Sequence, residues 1–391
     1  METPAVHLAR KWRVQTFNAV QGQDLVVRIL QNNLYRGYFF PLYLFAGPRG
    51  SGKTSIARMF ATALNCQSLS HFQQSPRETS VPCWECTSCT TALRNNHPDI
   101  IEIDAASYTG VDNIRSLIES ASFLPVMGGK KVYIVDEAHM LSKAAFNAFL
   151  KILEEPPAGA LFVLATTDPT KILDTVKSRS LQLFFQRVPE DTLARYLAYI
   201  CDCEQISYTD DGVMRIAQAA DGSVRDALQI LERVFLAQDT ITRDKTVATL
   251  GDLDEQAIIE ILYVLATYSP YDAMQYIGNL QLEQYAPIRV WYRLVDALRS
   301  LMWGHYGNAP SVWEATSNFY PVLHRYSPEV LYRLLDVVYQ YEAYLVKTTY
   351  TKPILDMMFF DMVNALQGDR QYILHEETGS QSSRETTETG N

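Results

Sequence analysis

The chain has 391 residues, 47% of them hydrophobic and 20% charged, proportions that fit a soluble protein of two or three folded domains and exclude a disordered or single-core chain. Its net charge of −10 is unevenly placed: residues 1–187 hold 19 Lys+Arg against 15 Asp+Glu (+4) and residues 188–391 hold 15 against 29 (−14), so any nucleic-acid contact is expected from the first part. No amino-terminal stretch resembles a signal peptide and no apolar run reaches the roughly 18–20 residues of a membrane span, which points to a cytoplasmic protein whose six cysteines are not disulfides.

After an amphipathic opening, residues 42–46 (LYLFA) form a short apolar run of strand type, followed by a glycine-rich turn and the helical pattern SIARMFATALNC. Residues 131–135 (KVYIV) read as a second buried strand ending at Asp136-Glu137, residues 143–154 as a helix, and residues 160–165 (ALFVLA) as a third strand ending at Thr166-Thr167. Apolar strands alternating with helices imply a parallel sheet covered on both faces, with ligands at the carboxyl ends of the strands. From about Val188 strands are expected to disappear in favour of helices at 189–204, 210–219 and 223–235, giving a small helical domain over 188–240. Helices at 286–303 and from Ser327-Pro328-Glu329 to about Val346 mark a third, all-helical domain over 241–366, and residues 367–391 read as a disordered polar tail.

The strongest chemical signal is Gly47-Pro48-Arg49-Gly50-Ser51-Gly52-Lys53-Thr54, followed by Ser55, a phosphate-binding loop set between a strand and a helix. Glycines let backbone N–H groups approach phosphates, the helix amino terminus adds its positive end, Lys53 reaches the β- and γ-phosphates, and the Thr54 hydroxyl can ligate Mg2+. At the next strand end Asp136 can hold magnesium, directly or through water, and Glu137 can orient or deprotonate an attacking water, so ATP hydrolysis is expected as well as binding. Cys83, Cys86 and Cys89 in a CxxCxxC run, with Cys66 upstream, supply four soft ligands suited to a tetrahedral structural Zn2+.

With Asp136-Glu137-Ala138-His139 and Thr166-Thr167, the chain resembles AAA+ ATPases, and specifically the gamma/tau subunits of bacterial DNA polymerase III clamp loaders. Ser178-Arg179-Ser180 is similar to the Ser-Arg-Cys motif of those ATPases, with Ser180 in place of the usual Cys, and Gly222-Ser223-Val224-Arg225-Asp226-Ala227 is similar to their second sensor motif. The resemblance covers most of residues 7–235, including Ala9-Arg10-Lys11-Trp12-Arg13, which in the family borders the adenine, and Gly22-Gln23; Val14 stands where the family usually has proline. The cysteine insertion, about residues 64–90, marks the gamma/tau group, although the loop from Cys66 to Cys83 is longer than the family pattern.

The resemblance implies an AAA+ nucleotide-binding domain over residues 1–187, a helical lid at 188–240 and a helical collar for oligomerisation at 241–366. It implies that a Thr at 166 or 167 senses the γ-phosphate, that Arg225 contacts the nucleotide of its own subunit, and that Arg179 acts in trans on a neighbour's. Expected partners are further gamma/tau copies, delta and delta-prime subunits, the beta sliding clamp and primer-template DNA in a nucleoid-associated replisome, with no membrane. Membership of such a complex carries the label DNA-directed DNA polymerase, yet no nucleotidyl-transfer site is legible. A tail ending at residue 391 leaves no room for the long tau extension, so a gamma-length product is expected. The rival readings are another AAA+ motor such as a Holliday-junction helicase, a non-hydrolysing scaffold of delta-prime type, and an ATP-binding switch. The Tyr and Leu stripes beyond residue 240 fit either an interface or an ordinary core.

Overall fold

The computed structural model describes residues 7–107, 111–157, 159–237, 239–308, 313, 316–347 and 352–366; the polar tail expected at 367–391 lies outside them. The chain divides into two compact units, Met1–Thr246 and Val247–Asn391.

Five parallel strands, β1 Leu42–Ala46, β2 Ile100–Asp104, β3 Lys131–Asp136, β4 Ala160–Thr166 and β5 Leu181–Phe184, form the sheet of the first unit in the order β2-β3-β4-β1-β5. The three strands anticipated from the sequence are the central ones, buried on both faces. The two additional strands lie at the edges, where one face is covered and the other partly open, so neither carries a continuous apolar run. Helix Lys53–Leu64 packs Ile56 and Phe60 into the core on one face. Helix Lys143–Glu154 packs Phe146 and Phe149 into the core on the other, where Phe149 meets Phe162 edge-to-face. Covering both faces leaves the strand ends as the place where a polar ligand can be met.

Helices Glu190–Glu204, Asp210–Ala219 and Val224–Ala237 build the lid. Two corrections arise here. Strands do not disappear after Val188: Ser207–Tyr208 pairs in parallel with Thr240–Ile241, a ladder of two residues, too short to leave a period-2 signal. The segment at the amino terminus also belongs with the lid, because Leu8 is buried in the lid core with Leu193, Leu197 and Leu231. Glu204 accepts from Lys11 Nζ (2.7 Å) and Trp12 Nε1 (2.8 Å), and Glu232 accepts from the Leu8 N–H (3.3 Å), so this strap is tied to two lid helices.

The second unit is helical, with its core centred on Leu262, Trp291, Leu298, Leu331 and Phe359. The expected helix after Ser327 ends at Gln340, and Glu342–Lys347 is separate. The break falls at Tyr341, a largely buried residue whose hydroxyl bonds Asp361. Leucines of the expected stripes form this core, whereas Tyr271, Tyr306 and Tyr332 are exposed. Arg293 pairs with the buried Glu255 and lies 5.7 Å from the Trp313 ring. Among the described residues no helix is long and apolar enough to cross a membrane.

Candidate active site

A cleft opens beside the glycine-rich loop. Its wall is made by Arg49 to Ile56, by Asp136 and Glu137 at the end of β3, and by Tyr196, Val224, Arg225 and Leu228 of the lid. Gly50 has φ +74°, and a Cβ there would stand 1.9 Å from Ser223 Oγ, so only glycine lets the loop lie against the start of lid helix Val224–Ala237. Gly222 (φ +74°) allows the matching approach to Arg187, whose Cβ would lie 2.5 Å from an added one.

Lys53 opens its helix and is 6% exposed, its ammonium donating to the carbonyls of Gly47 (2.9 Å) and Pro48 (2.8 Å). Burial pushes its pKa down; Glu137 and Asp136 oppose that, and Arg225 adds to it. Thr54 Oγ1 donates to Asp136 Oδ2 at 2.7 Å, joining the loop to the acid pair across two elements. Glu137 has left-handed backbone angles, φ +47° and ψ +42°, a strained setting for a residue with a side chain. Its carboxylate accepts from Thr167 Oγ1 at 3.2 Å, with His139 Nδ1 3.5 Å away.

Thr167 therefore touches the acid directly, while Thr166 is fully buried and accepts the Asp168 N–H at 3.0 Å. Arg225 is on the cleft wall. Arg179 is not: exposed, it donates to Thr175 O at 3.1 Å at the end of helix Asp174–Lys177. Trp12, Arg13 and Tyr196 also line the cleft, and only the first two had been tied to the nucleotide, through the family resemblance. The Arg13 pKa is lowered by burial first and then by Arg58 and Arg225, a concentration of positive charge suited to an anion. Tyr196, which reaches the Trp12 carbonyl at 3.4 Å, carries no local sequence signal because the strap brings the two together only in the fold.

Away from the cleft, the thiols of Cys66, Cys83, Cys86 and Cys89 lie within 4.8 Å of one another. Sulfurs around a tetrahedral metal at the usual zinc–sulfur distance are roughly 3.8 Å apart, so this set needs little adjustment to hold one. The N–H groups of Cys86 and Cys89 point at Cys83 Sγ and Cys86 Sγ, each at 3.4 Å. The hydrogen bond with Cys89 holds the Cys66 thiol down at about 5 and pushes that of Cys89 up.

The family described as DNA polymerase III, delta subunit, matches residues 22–189, and the one described as DNA polymerase III clamp loader subunit, ATPase lid domain, matches residues 192–234. The DNA polymerase III subunit gamma of Buchnera aphidicola is 40% identical over 261 residues, covering 66% of this chain and 68% of that protein. The chain belongs to the DNA polymerase III gamma/tau family. Within the gamma/tau family, the tau/gamma subunit of Haemophilus influenzae is 43% identical over 259 residues, 66% of this chain and 36% of the relative. The tau subunit of Bacillus subtilis is 34% identical over 338 residues, 85% and 58% respectively. The chain thus spans well under half the length of relatives such as those of Haemophilus and Salmonella, 36% and 39%. Thermotoga maritima RuvB, a Holliday junction branch migration motor, superposes with a TM-score of 0.46 at 19% identity over 68% of this chain and 85% of RuvB, too distant to favour that reading.

Proposed function

We propose that this gamma/tau chain is the ATP-hydrolysing motor of a clamp loader, which with further copies and delta and delta-prime subunits opens a beta sliding clamp and places it on primer-template DNA. The observation that carries the reading is the 2.7 Å bond from Thr54 to Asp136, which sets the phosphate loop, Lys53 and Glu137 around one cleft. Loop N–H groups and Lys53 bind the phosphates, and Arg225 adds charge from the lid. Thr54 and Asp136, a hydroxyl and a carboxylate, are the hard oxygen donors that would hold Mg2+, which when bound offsets phosphate charge. Glu137 orients the attacking water, held by Thr167. Arg179 acts in trans on the nucleotide of a neighbouring copy, a reading supported by its exposure and its position away from its own cleft. The four thiols support a structural zinc that closes the insertion onto helix Lys53–Leu64, with no step in hydrolysis.

A scaffold of delta-prime type is disfavoured because Lys53, Thr54, Asp136 and Glu137 all meet at the cleft. The test is ATP turnover by the chain with its host's delta and delta-prime subunits, with and without clamp and primed DNA. Stimulation by clamp and primed DNA, abolished by Lys53→Ala, supports the motor reading; absent turnover refutes it.

A further inference from the structure

The strap segment from Trp12 to Gln15 is held between two tryptophan anchors. At one end Trp12 Nε1 donates to Glu204 of the lid at 2.8 Å. At the other the Gln15 carbonyl accepts from Trp84 Nε1, also at 2.8 Å, across 69 positions of the chain. Between the anchors, Arg13 and Val14 line the cleft beside the phosphate loop, whereas Trp84 does not line it and reaches it only through Gln15. Trp84 follows Cys83 in the cysteine insertion, and its backbone is left-handed, φ +60°, a setting that a large side chain adopts only where its neighbours impose it. Those neighbours are Cys83 and Cys86: the Cys86 N–H points at Cys83 Sγ at 3.4 Å, closing the turn around Trp84, and both thiols belong to the set of four. Beyond Gln15 the strap enters the core of the insertion, since Phe17 shares one buried cluster with Val81, Cys66 and Cys89. A change in the spacing of the thiols therefore moves the indole that holds Gln15, and with it two residues of the cleft wall.

We propose that Trp84 is a positioning residue that couples the four-thiol site to nucleotide binding: with the thiols gathered on a metal, its indole fixes Gln15 and so holds Arg13 and Val14 in place on the cleft wall. The effect is on affinity and not on turnover, because Lys53, Thr54, Asp136 and Glu137 are held by bonds of their own. Linkage makes the coupling reciprocal, so the factor by which the metal strengthens ATP binding is the factor by which ATP strengthens metal binding. The inference rests on the readings of the cleft as the nucleotide site and of the four thiols as a zinc site.

The experiment combines three measurements on the full chain: equilibrium ATP binding, zinc affinity by competition with a chelator, and steady-state turnover with the delta and delta-prime subunits. The chains compared are wild type, Trp84→Phe, Cys86→Ser and the double variant, with Lys53→Ala as control. Phe keeps an aromatic ring at the site and removes the N–H donor. Loss of that one hydrogen bond should lower ATP affinity about 3–10-fold in Trp84→Phe, with kcat changed less than about 2-fold and the metal retained. Cys86→Ser should weaken ATP binding comparably, and adding Trp84→Phe to it should cost less than about 2-fold more. Saturating ATP should raise the zinc affinity of the wild type by about 3–10-fold and that of Trp84→Phe by less than about 2-fold. An ATP affinity in Trp84→Phe within about 2-fold of wild type, or additive losses in the double variant, overturns the proposal and leaves the motor reading intact. A wild-type chain that binds no zinc overturns the metal reading and this inference together, and an ATP affinity unaltered by Lys53→Ala overturns the reading of the cleft and this inference with it. Should Trp84→Phe unfold, the zinc affinity of the wild type with and without ATP decides alone, and equal values overturn the proposal.

Discussion

Replacing Gly50 by Ala tests whether the phosphate loop and the lid are built as one contact. The new Cβ meets Ser223 Oγ at 1.9 Å and Ser223 Cβ at 3.0 Å, with the backbone at φ +74°. The left-handed angle costs about 1 kcal/mol for a residue with a side chain. Ser223 is 5% exposed and can move its oxygen aside only by giving up the bond it accepts from the Asp226 N–H (3.2 Å), which caps the following helix. Loss of such a cap costs about 1 kcal/mol, so Gly50→Ala should destabilise by about 2 kcal/mol in all. At roughly 2–4 °C per kcal/mol for a unit of this size, Tm falls by about 4–8 °C. In a Ser223→Ala background the cap and the obstructing oxygen are both already gone, and Gly50→Ala should cost only about 1 kcal/mol. Denaturant unfolding of the two single variants and the double variant measures the coupling, and ATP affinity should recover partly in the double. Strict additivity, within about 0.3 kcal/mol, would refute the claim that the loop is held against Ser223.

Other perturbations have equally definite outcomes. Asp99, fully buried, accepts the N–H groups of Val126 (2.7 Å), Met127 (2.6 Å) and Gly128 (2.9 Å), so Asp99→Ala should cost about 3–5 kcal/mol, measured by denaturant unfolding. Burial opposes its ionisation, yet these three donors hold its carboxyl below the usual 3.8; its stabilisation is complete above that value and is lost as pH falls through the lower folded pKa, a dependence that Asp99→Asn should remove. Metal analysis should find one zinc per chain, reduced by Cys86→Ser, with chelation lowering Tm. Glu204→Gln weakens two bonds to the strap at Lys11 and Trp12 and should speed proteolysis ahead of Arg13, with little change in global Tm.

The parts of this molecule legible in its sequence are those whose physics is local. Residues 42–46 and 160–165 stand out because strands buried on both faces must be apolar throughout, whereas Ile100–Asp104, with Glu102 and Asp104 inside it, conceals an edge strand. The loop from Gly47 to Thr54 is legible because its residues are contiguous, and Cys83, Cys86 and Cys89 because they recur at every third position; Cys66, well upstream, joins them in the fold. The His139 contact with Thr166 leaves no such trace: it joins a turn after β3 to the end of β4, and each residue alone is unremarkable in composition.

The strap shows most clearly what a linear division into domains conceals. Residues 1–187 read as one domain because the lid helices begin only after Val188, yet Leu8 is packed among lid residues and Trp12 meets Tyr199 edge-to-face at 5.8 Å. The cleft is therefore bounded by two kinds of wall. Lys53, Thr54, Asp136 and Glu137 stand at the end of β3 and on the helix packed against the sheet, while Trp12, Tyr196 and Arg225 belong to the lid and its strap, so a rotation of the lid would carry the latter three together relative to the phosphate loop. Gly50 against Ser223 is where the two walls touch, and a side chain there would be felt by both. A loss of ATP affinity in Gly50→Ala that Ser223→Ala partly restores would then place nucleotide binding and lid position in the same equilibrium, because the only group removed in the second step lies on the lid.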